Sequence, residues 1–298
     1  MNNTQISRKA IVTLAVGDRY LQHWKSICEA NWRTYGAQHG FDVICFDKPL
    51  DDSARARKRS PAWQKCLILG QDALQHYDRV VWVDADVLIN HRAAPSIDAG
   101  VPLEKVGATE EFTFADNVGH QPRQVLERLY AYWNKSIINC SGQEYYKNYG
   151  LPSGFAKVVQ TGVLVLSPRH HRSLLEKVYY DHEEKGGSEW NYEMRPLSYE
   201  LLKADVVHWI DPRFNSVWTY SLFLHYPFLL DPKPNNTLGG RIKRKLAAAM
   251  DATSFTTVQR ACMTTAFLNS FFFHTSGVSL EQSKVVNQNA GSIADCRL

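Results

Sequence analysis

The run Val80-Val81-Trp82-Val83 passes without a turn residue into Asp84-Ala85-Asp86. Four consecutive apolar, mostly β-branched residues read as a buried strand. In extended chain, residues two apart project the same way, so both carboxylates can converge at one edge of a sheet. The carboxyl edge is where open α/β sheets bind ligands. Two hard oxygen donors there suit Mg²⁺ or Mn²⁺ held against a diphosphate. Taken alone, the same three residues also fit an ordinary solvated turn.

The segments around this strand set the fold class. Ala10 to Val16 is a short apolar run ending at Gly17-Asp18, which predicts a strand and a turn. Tyr20 to His39 has helical spacing (Leu21, Trp24, Ile27, Cys28, Trp32), with Gly40 where a helix stop belongs. Phe41 to Phe46 predicts a second strand. Ser60-Pro61 predicts the start of a helix reaching about Tyr77, Pro61 being suited to the first helical position. Arg79 to Val83 is then the third strand. Strands and helices alternating in this way predict an α/β fold with a central, mostly parallel sheet flanked by helices. Further on, the pattern predicts a helix near Arg123 to Lys135, a strand from Val158 to Leu166 and a helix from Pro168 to Glu184. Pro, Asn and Gly gather at Asp231 to Gly240, a loop that divides residues 1–230 from a tail, 231–298, of the same domain.

Composition narrows the function. A formal net charge of +4 over 298 residues suits anionic small molecules and is too weak to point to nucleic acid. The six cysteines are scattered with no Cys-x-x-Cys pair, which argues against a zinc knuckle or a disulfide framework and fits a reducing compartment. Ala10 to Val16 is too short for a signal sequence or membrane span, so a cytoplasmic location is expected. The basic run Arg241-Ile242-Lys243-Arg244-Lys245, with Leu246 and Ala249, predicts a short amphipathic helix over Arg241 to Met250. Its common reading is a solvated face, with weak peripheral contact to an anionic membrane as the alternative. The other basic run, Arg55 to Arg59, reads as a mobile loop over the diphosphate site.

Five segments in order carry a family resemblance. Tyr77-Asp78-Arg79-Val80-Val81-Trp82-Val83-Asp84-Ala85-Asp86 resembles the Asp-x-Asp segment of retaining GT-A glycosyltransferases, families 8 and 34 being similar. Gln160-Thr161-Gly162-Val163 resembles their Asn-x-Gly-Val strand, with Gln for Asn. Glu193, Leu197 and Ser198 match the spacing of their Asp-Gln-x-x-Leu-Asn segment, with Glu for Asp and Ser for Asn. Asp211-Pro212-Arg213-Phe214-Asn215 resembles a later Leu-Pro-x-x-Trp/Phe-Asn turn, and His274-Thr275-Ser276-Gly277 their C-terminal His-x-x-Gly. The Lys that follows that Gly by three residues in family 8 is replaced by Lys284, seven residues on.

The resemblance implies a GT-A fold with a C-terminal region closing the active site, and transfer of a hexose from a UDP-sugar (GDP-sugar second) with retention. The acceptor hydroxyl belongs to a glycan, a lipid or a small molecule. Asp84, Asp86 and His274 would hold Mn²⁺ or Mg²⁺, and Gln160 and Glu193 would line the anomeric carbon. Thr13, Leu14, Ala15, Asp18 and Tyr20 would hold the base and ribose of the nucleotide sugar, while Ala85 and Gly277 would lie along the diphosphate. Lys65 reads equally as a donor contact or a surface lysine, and Asp18 as a ribose partner or a helix N-cap. His274, after three phenylalanines, also fits a packed core histidine; His170-His171 fit an exposed helix start. Two other classes stay open: a nucleotidyltransferase, against which the single glycine of Leu14 to Arg19 counts, and a non-catalytic binder of sugar nucleotides.

Overall fold

The computed structural model describes residues 7–111, 141–185, 192–229, 257–276 and 286. Along the chain its strands are β1 (Lys9–Leu14), β2 (Phe41–Phe46), β3 (Arg79–Val83), β4 (Val87–Ile89), β5 (Val106–Glu110), β6 (Val159–Leu166), β7 (Val207–Trp209), β8 (Ser216–Val217) and β9 (Phe272–His274). The main sheet is six-stranded, in the order β2-β1-β3-β6-β5-β7. Strand β1 is parallel to β2 and β3, and β5 is parallel to β7, while β6 runs antiparallel to both its neighbours. The expected mostly parallel α/β sheet is therefore present, with β6 as its one reversed strand.

Alternation along these strands explains their unbroken apolar runs. Ile11, Val81, Val83, Val163 and Val165 face one core with Trp24, Trp32 and Tyr35. Ala10, Val12, Val80, Trp82, Leu164 and Leu166 face a second core with Trp63, Ile68 and Leu175. A sheet covered on both faces has no need of polar alternation.

The predicted first helix is α1 (Asp18–His23), a π turn (Trp24–Cys28) and α2 (Glu29–His39) in one run. Gly40 ends it in the left-handed conformation (φ 73°), the stop that its position suggested. The helix from Ser60 departs from expectation. Ser60 caps it and Pro61 opens it, but it is a 3₁₀ helix that stops at Gly70, where Gln71 turns extended. Gly70 lets the backbone approach the next layer closely: a Cβ there would lie 2.7 Å from Glu176 Oε1.

The helix α3 (Gly142–Tyr149) precedes β6, and α4 (Pro168–Asp181) follows it. The latter ends three residues before the expected Glu184. Its last carbonyls are taken by arginines: Arg59 donates to Tyr179 O (2.7 Å) and Arg55 to Tyr180 O (2.6 Å), and both bond His182 O. Cations at a helix C-terminus satisfy orphan carbonyls and complement the dipole. The basic run Arg55 to Arg59 is thus no mobile loop over the cleft; Arg55 and Arg59 are pinned, leaving Arg57 and Lys58 exposed. His171 is likewise not exposed as expected but buried at the start of α4, whereas His170 faces outward.

A second, three-stranded sheet, β4-β9-β8, joins the middle of the chain to its end. The free edge of β4 is covered by side chains: Asn31 bonds both backbone groups of Ile89 (2.6 and 2.7 Å), and Trp32 donates to Val87 O (2.8 Å). Met263 and Phe267, from a helix that includes residues 257–268, pack into the first core. The expected helix at 123–135, the loop 231–240, the basic segment 241–250, Gly277 and Lys284 lie outside the described residues. Among the described residues no helix is long and apolar enough to cross a membrane.

Candidate active site

Strand β3 ends where Asp84 N donates to Gly162 O of β6 (2.9 Å), and a tight turn brings Val87 N back to Asp84 O (3.2 Å). That turn presents Asp84 and Asp86 at the carboxyl edge of β1 and β3. Val87 then begins β4, which pairs directly with His274 in β9. Thr275 completes the link, donating its N–H (3.1 Å) and its hydroxyl (2.8 Å) to Asp86 O. Strand pairing therefore seats His274 beside the carboxylates. Its Nε2 lies 3.2 Å from Asp86 Oδ1 and 3.8 Å from Asp84 Oδ2. The other ring nitrogen, Nδ1, donates to Asn215 Oδ1 at 2.9 Å.

Burial acts against charge on both members of the His274–Asp86 pair, but their attraction and hydrogen bond prevail. The Asp86 carboxyl is held below the usual range and the His274 imidazole above it. His274 is both things its sequence context allowed: a buried residue following Phe272 and Phe273, and a group that faces the two carboxylates.

Lys65 forms the floor. Its Nζ lies 3.2 Å from Asp84 Oδ1, 2.8 Å from Glu193 Oε1 and 3.2 Å from Thr161 O. Desolvation favours loss of its proton, yet the two carboxylates outweigh this and hold the ammonium above its ordinary pKa. Trp82 Nε1 also donates to Asp84 Oδ1 (2.8 Å), and Thr161 Oγ1 to Glu193 Oε1 (3.0 Å). The surface-lysine reading of Lys65 is thereby excluded, since its side chain is only 5% exposed.

These groups open onto a cleft of about 380 Å³. Of the residues expected there, Leu14, Tyr20, Lys65, Asp84, Ala85, Asp86 and His274 line it. Thr13 and Ala15 are fully buried in β1 and just after it, off the cleft wall. Asp18 is exposed in the first turn of α1 and does not cap it; Gly17 holds the N-cap position. Glu193 and Gln160 do not line the cleft either. The Glu193 carboxylate lies behind Lys65, and Gln160 Oε1 accepts from Gly162 N (2.6 Å) and Asn215 Nδ2 (2.8 Å).

Val16, within the segment Thr13 to Tyr20, and Ser276, within the His274 to Gly277 motif, also line the cleft, as do His23, Ser60, Pro61, Ala62 and Tyr192, which were given no site role by the sequence. His23 had a usable signal, being three residues from Tyr20 and so on the same helical face. Tyr192 adjoins Glu193, and Asn215 is the last residue of the motif Asp211 to Asn215, which carried no site role in the sequence. Among the described residues, no group of three or more His, Cys, Asp or Glu side chains already stands in metal-holding geometry. In the present arrangement Asp84 is engaged by Lys65 and Trp82, and His274 by Asp86.

No protein-family model matches the chain, and no curated protein matches it in sequence. Solved structures do resemble it. One is a glycosyltransferase involved in the glycosylation of the major capsid of PBCV-1, 15% identical, covering 92% of this chain and 97% of that one with a TM-score of 0.48. Another is the galactosyltransferase LgtC with donor and acceptor sugar analogs, 15% identical, covering 90% and 87% with a TM-score of 0.42. A third is the bifunctional glycosyltransferase WbbM, 11% identical, covering 99% of this chain and 52% of that one with a TM-score of 0.47. These overlays are loose, and the geometry of the site stands independently of them.

Proposed function

We propose that the chain is a metal-dependent glycosyltransferase that moves a hexose from a UDP-sugar, or secondarily a GDP-sugar, to an acceptor hydroxyl with retention. The observation that carries this reading is the meeting of Asp84, Asp86 and His274, drawn from distant parts of the chain, at the carboxyl edge of β1 and β3. Open α/β sheets take ligands at such an edge, where neighbouring connections leave in opposite directions. The motif order, which resembles retaining enzymes, supports the stereochemistry.

The residues present fit a divalent ion. Two carboxylates and one imidazole are a donor set that Mn²⁺ accepts, and Mg²⁺ less typically. Gly162 leaves the room that the His274 ring needs: a Cβ there would stand 2.5 Å from His274 Cε1. A bound ion would supply Lewis-acid neutralisation of the departing nucleoside diphosphate.

The chain's own residues contribute the rest. Lys65, kept protonated by Asp84 and Glu193, is a fixed positive charge on the cleft floor. A preorganised cation of this kind favours the charge that develops as the bond from the sugar C1 to the diphosphate oxygen breaks. The electron pair leaves with the diphosphate, the acceptor oxygen bonds C1, and the acceptor hydroxyl passes its proton to the departing diphosphate oxygen. Glu193 acts through Lys65 and does not face the reacting carbon. Tyr20, exposed on α1 at the mouth of the cleft, offers a ring face to the nucleotide base.

Incubation with a UDP-hexose and Mn²⁺ but no acceptor tests the reaction class by nuclear magnetic resonance of the products. Slow release of UDP and free hexose is expected. Release of UMP and hexose 1-phosphate would instead indicate chemistry at phosphorus, and an intact donor with tight binding would indicate a carrier.

A further inference from the structure

We infer that Asn215 is the positioning residue of the metal site, gripping the His274 ring by its far nitrogen, and that Gln160 belongs to this relay and not to the reacting centre. The inference rests on the metal-binding reading above. Asn215 Oδ1 accepts from His274 Nδ1 at 2.9 Å, and Asn215 Nδ2 donates to Gln160 Oε1 at 2.8 Å. The same Gln160 oxygen accepts from Gly162 N at 2.6 Å, so both its lone pairs are engaged.

The backbone fixes every member of this relay. Gln160 and Gly162 are two apart in β6 and share a face, one supplying the lock and the other the empty space for the ring. Asn215 ends a 3₁₀ turn (Pro212–Asn215) capped by Asp211, whose carboxylate accepts from Arg213 N at 2.9 Å. The chain then enters β8, where Val217 is in register with His274. Asn215 and His274 are 6% and 2% exposed, so bulk water does not compete for their bond. A ligand histidine whose other nitrogen is held in this way has its tautomer and ring plane set in advance, and loss of such a partner typically costs about 10–100-fold in metal affinity.

The test is Mn²⁺ titration of the full chain, counting free ion by electron paramagnetic resonance. Asn215→Leu should weaken binding by roughly 10–100-fold. Asn215→Asp, which keeps an acceptor for Nδ1–H but loses the donor to Gln160 Oε1, should lose distinctly less affinity than the Leu variant. Wild-type affinity in the Leu variant, or equal losses in both variants, would overturn the assignment. Asn215→Ser serves the same comparison if the Leu variant does not fold. A second readout needs no metal: imidazole ¹⁵N resonances at alkaline pH in Asp86→Ala, which removes the carboxylate that competes for a proton on Nε2. The relay predicts the Nδ1–H tautomer of His274 in that variant and its loss when Asn215→Ser is added. Absence of Mn²⁺ binding by the wild type, with the tautomer result as expected, would sink the metal reading while leaving the relay in place. An Nε2–H tautomer in Asp86→Ala would overturn the relay itself.

Discussion

Lys65 sits on a helix in which every residue from Trp63 to Leu69 is buried, so its ammonium has almost no water to fall back on. Its charge is sustained by Glu193 at 2.8 Å and Asp84 at 3.2 Å. Removing one member of a buried pair strands the other, at a typical cost of about 3–5 kcal/mol, whereas replacing both by apolar groups costs much less. Lys65→Met should therefore destabilise the protein by roughly that amount. In a urea-unfolding cycle, the Lys65→Met/Glu193→Leu double variant should be distinctly more stable than the sum of the single effects. Strict additivity would show that the two residues act independently. The sequence showed Lys65 to be near the site but did not separate a donor contact from a surface lysine. That distinction depends on Glu193, which approaches Lys65 only in the folded chain.

The first turn of α4 carries a pH dependence that belongs to the element. Ser167 N–H donates to His171 Nδ1 (2.9 Å), and the other ring nitrogen bonds Glu104 O (3.1 Å), so the ring is neutral with both nitrogens engaged. Burial, opposed by the bond to Glu104 O and assisted by the charge of Arg79, pushes its pKa down to about 4 from 6.5. The folded pKa lies below the unfolded one. The contribution to stability is therefore complete above the unfolded value and is lost as pH falls through the folded one, about 3 kcal/mol at most. Metal-free stability should decline between about pH 6.5 and pH 4, and His171→Asn, whose Oδ1 can still accept from Ser167, should flatten that decline. An unchanged pH profile in the variant would remove His171 as the cause. The strands at Phe41–Phe46 and Arg79–Val83 were legible to the residue, because the apolar runs Val43 to Phe46 and Val80 to Val83 are each bounded closely, by Gly40 before one and Asp84 after the other. The end of α4 was not, since Arg55 and Arg59 reach it from more than a hundred residues away. Burial of His171 depends likewise on Glu104 O, far from it in sequence.

Across the whole molecule, the candidate metal site is a closure between the middle of the chain and its end. Asp86 and Thr275 are 189 residues apart yet share two hydrogen bonds, and β9 is paired on both sides. His274 is held from both sides, by β4 and by β8. The resemblance already implied that Asp84, Asp86 and His274 meet. The means was not legible, because it is the register of β4 with β9 and the room left by Gly162. The claim that these three residues hold a metal against a diphosphate is tested most directly by the thermal stability of the protein with UDP, in Mn²⁺ and in chelator. Ligand at about a hundredfold over its dissociation constant contributes about 2.7 kcal/mol, a rise of roughly 4–5 °C for a chain of this size. That rise is predicted with UDP and Mn²⁺ together, is predicted to vanish in chelator, and should be abolished by Asp86→Asn. An equal rise with UDP in Mn²⁺ and in chelator, or a full rise in Asp86→Asn, would contradict it.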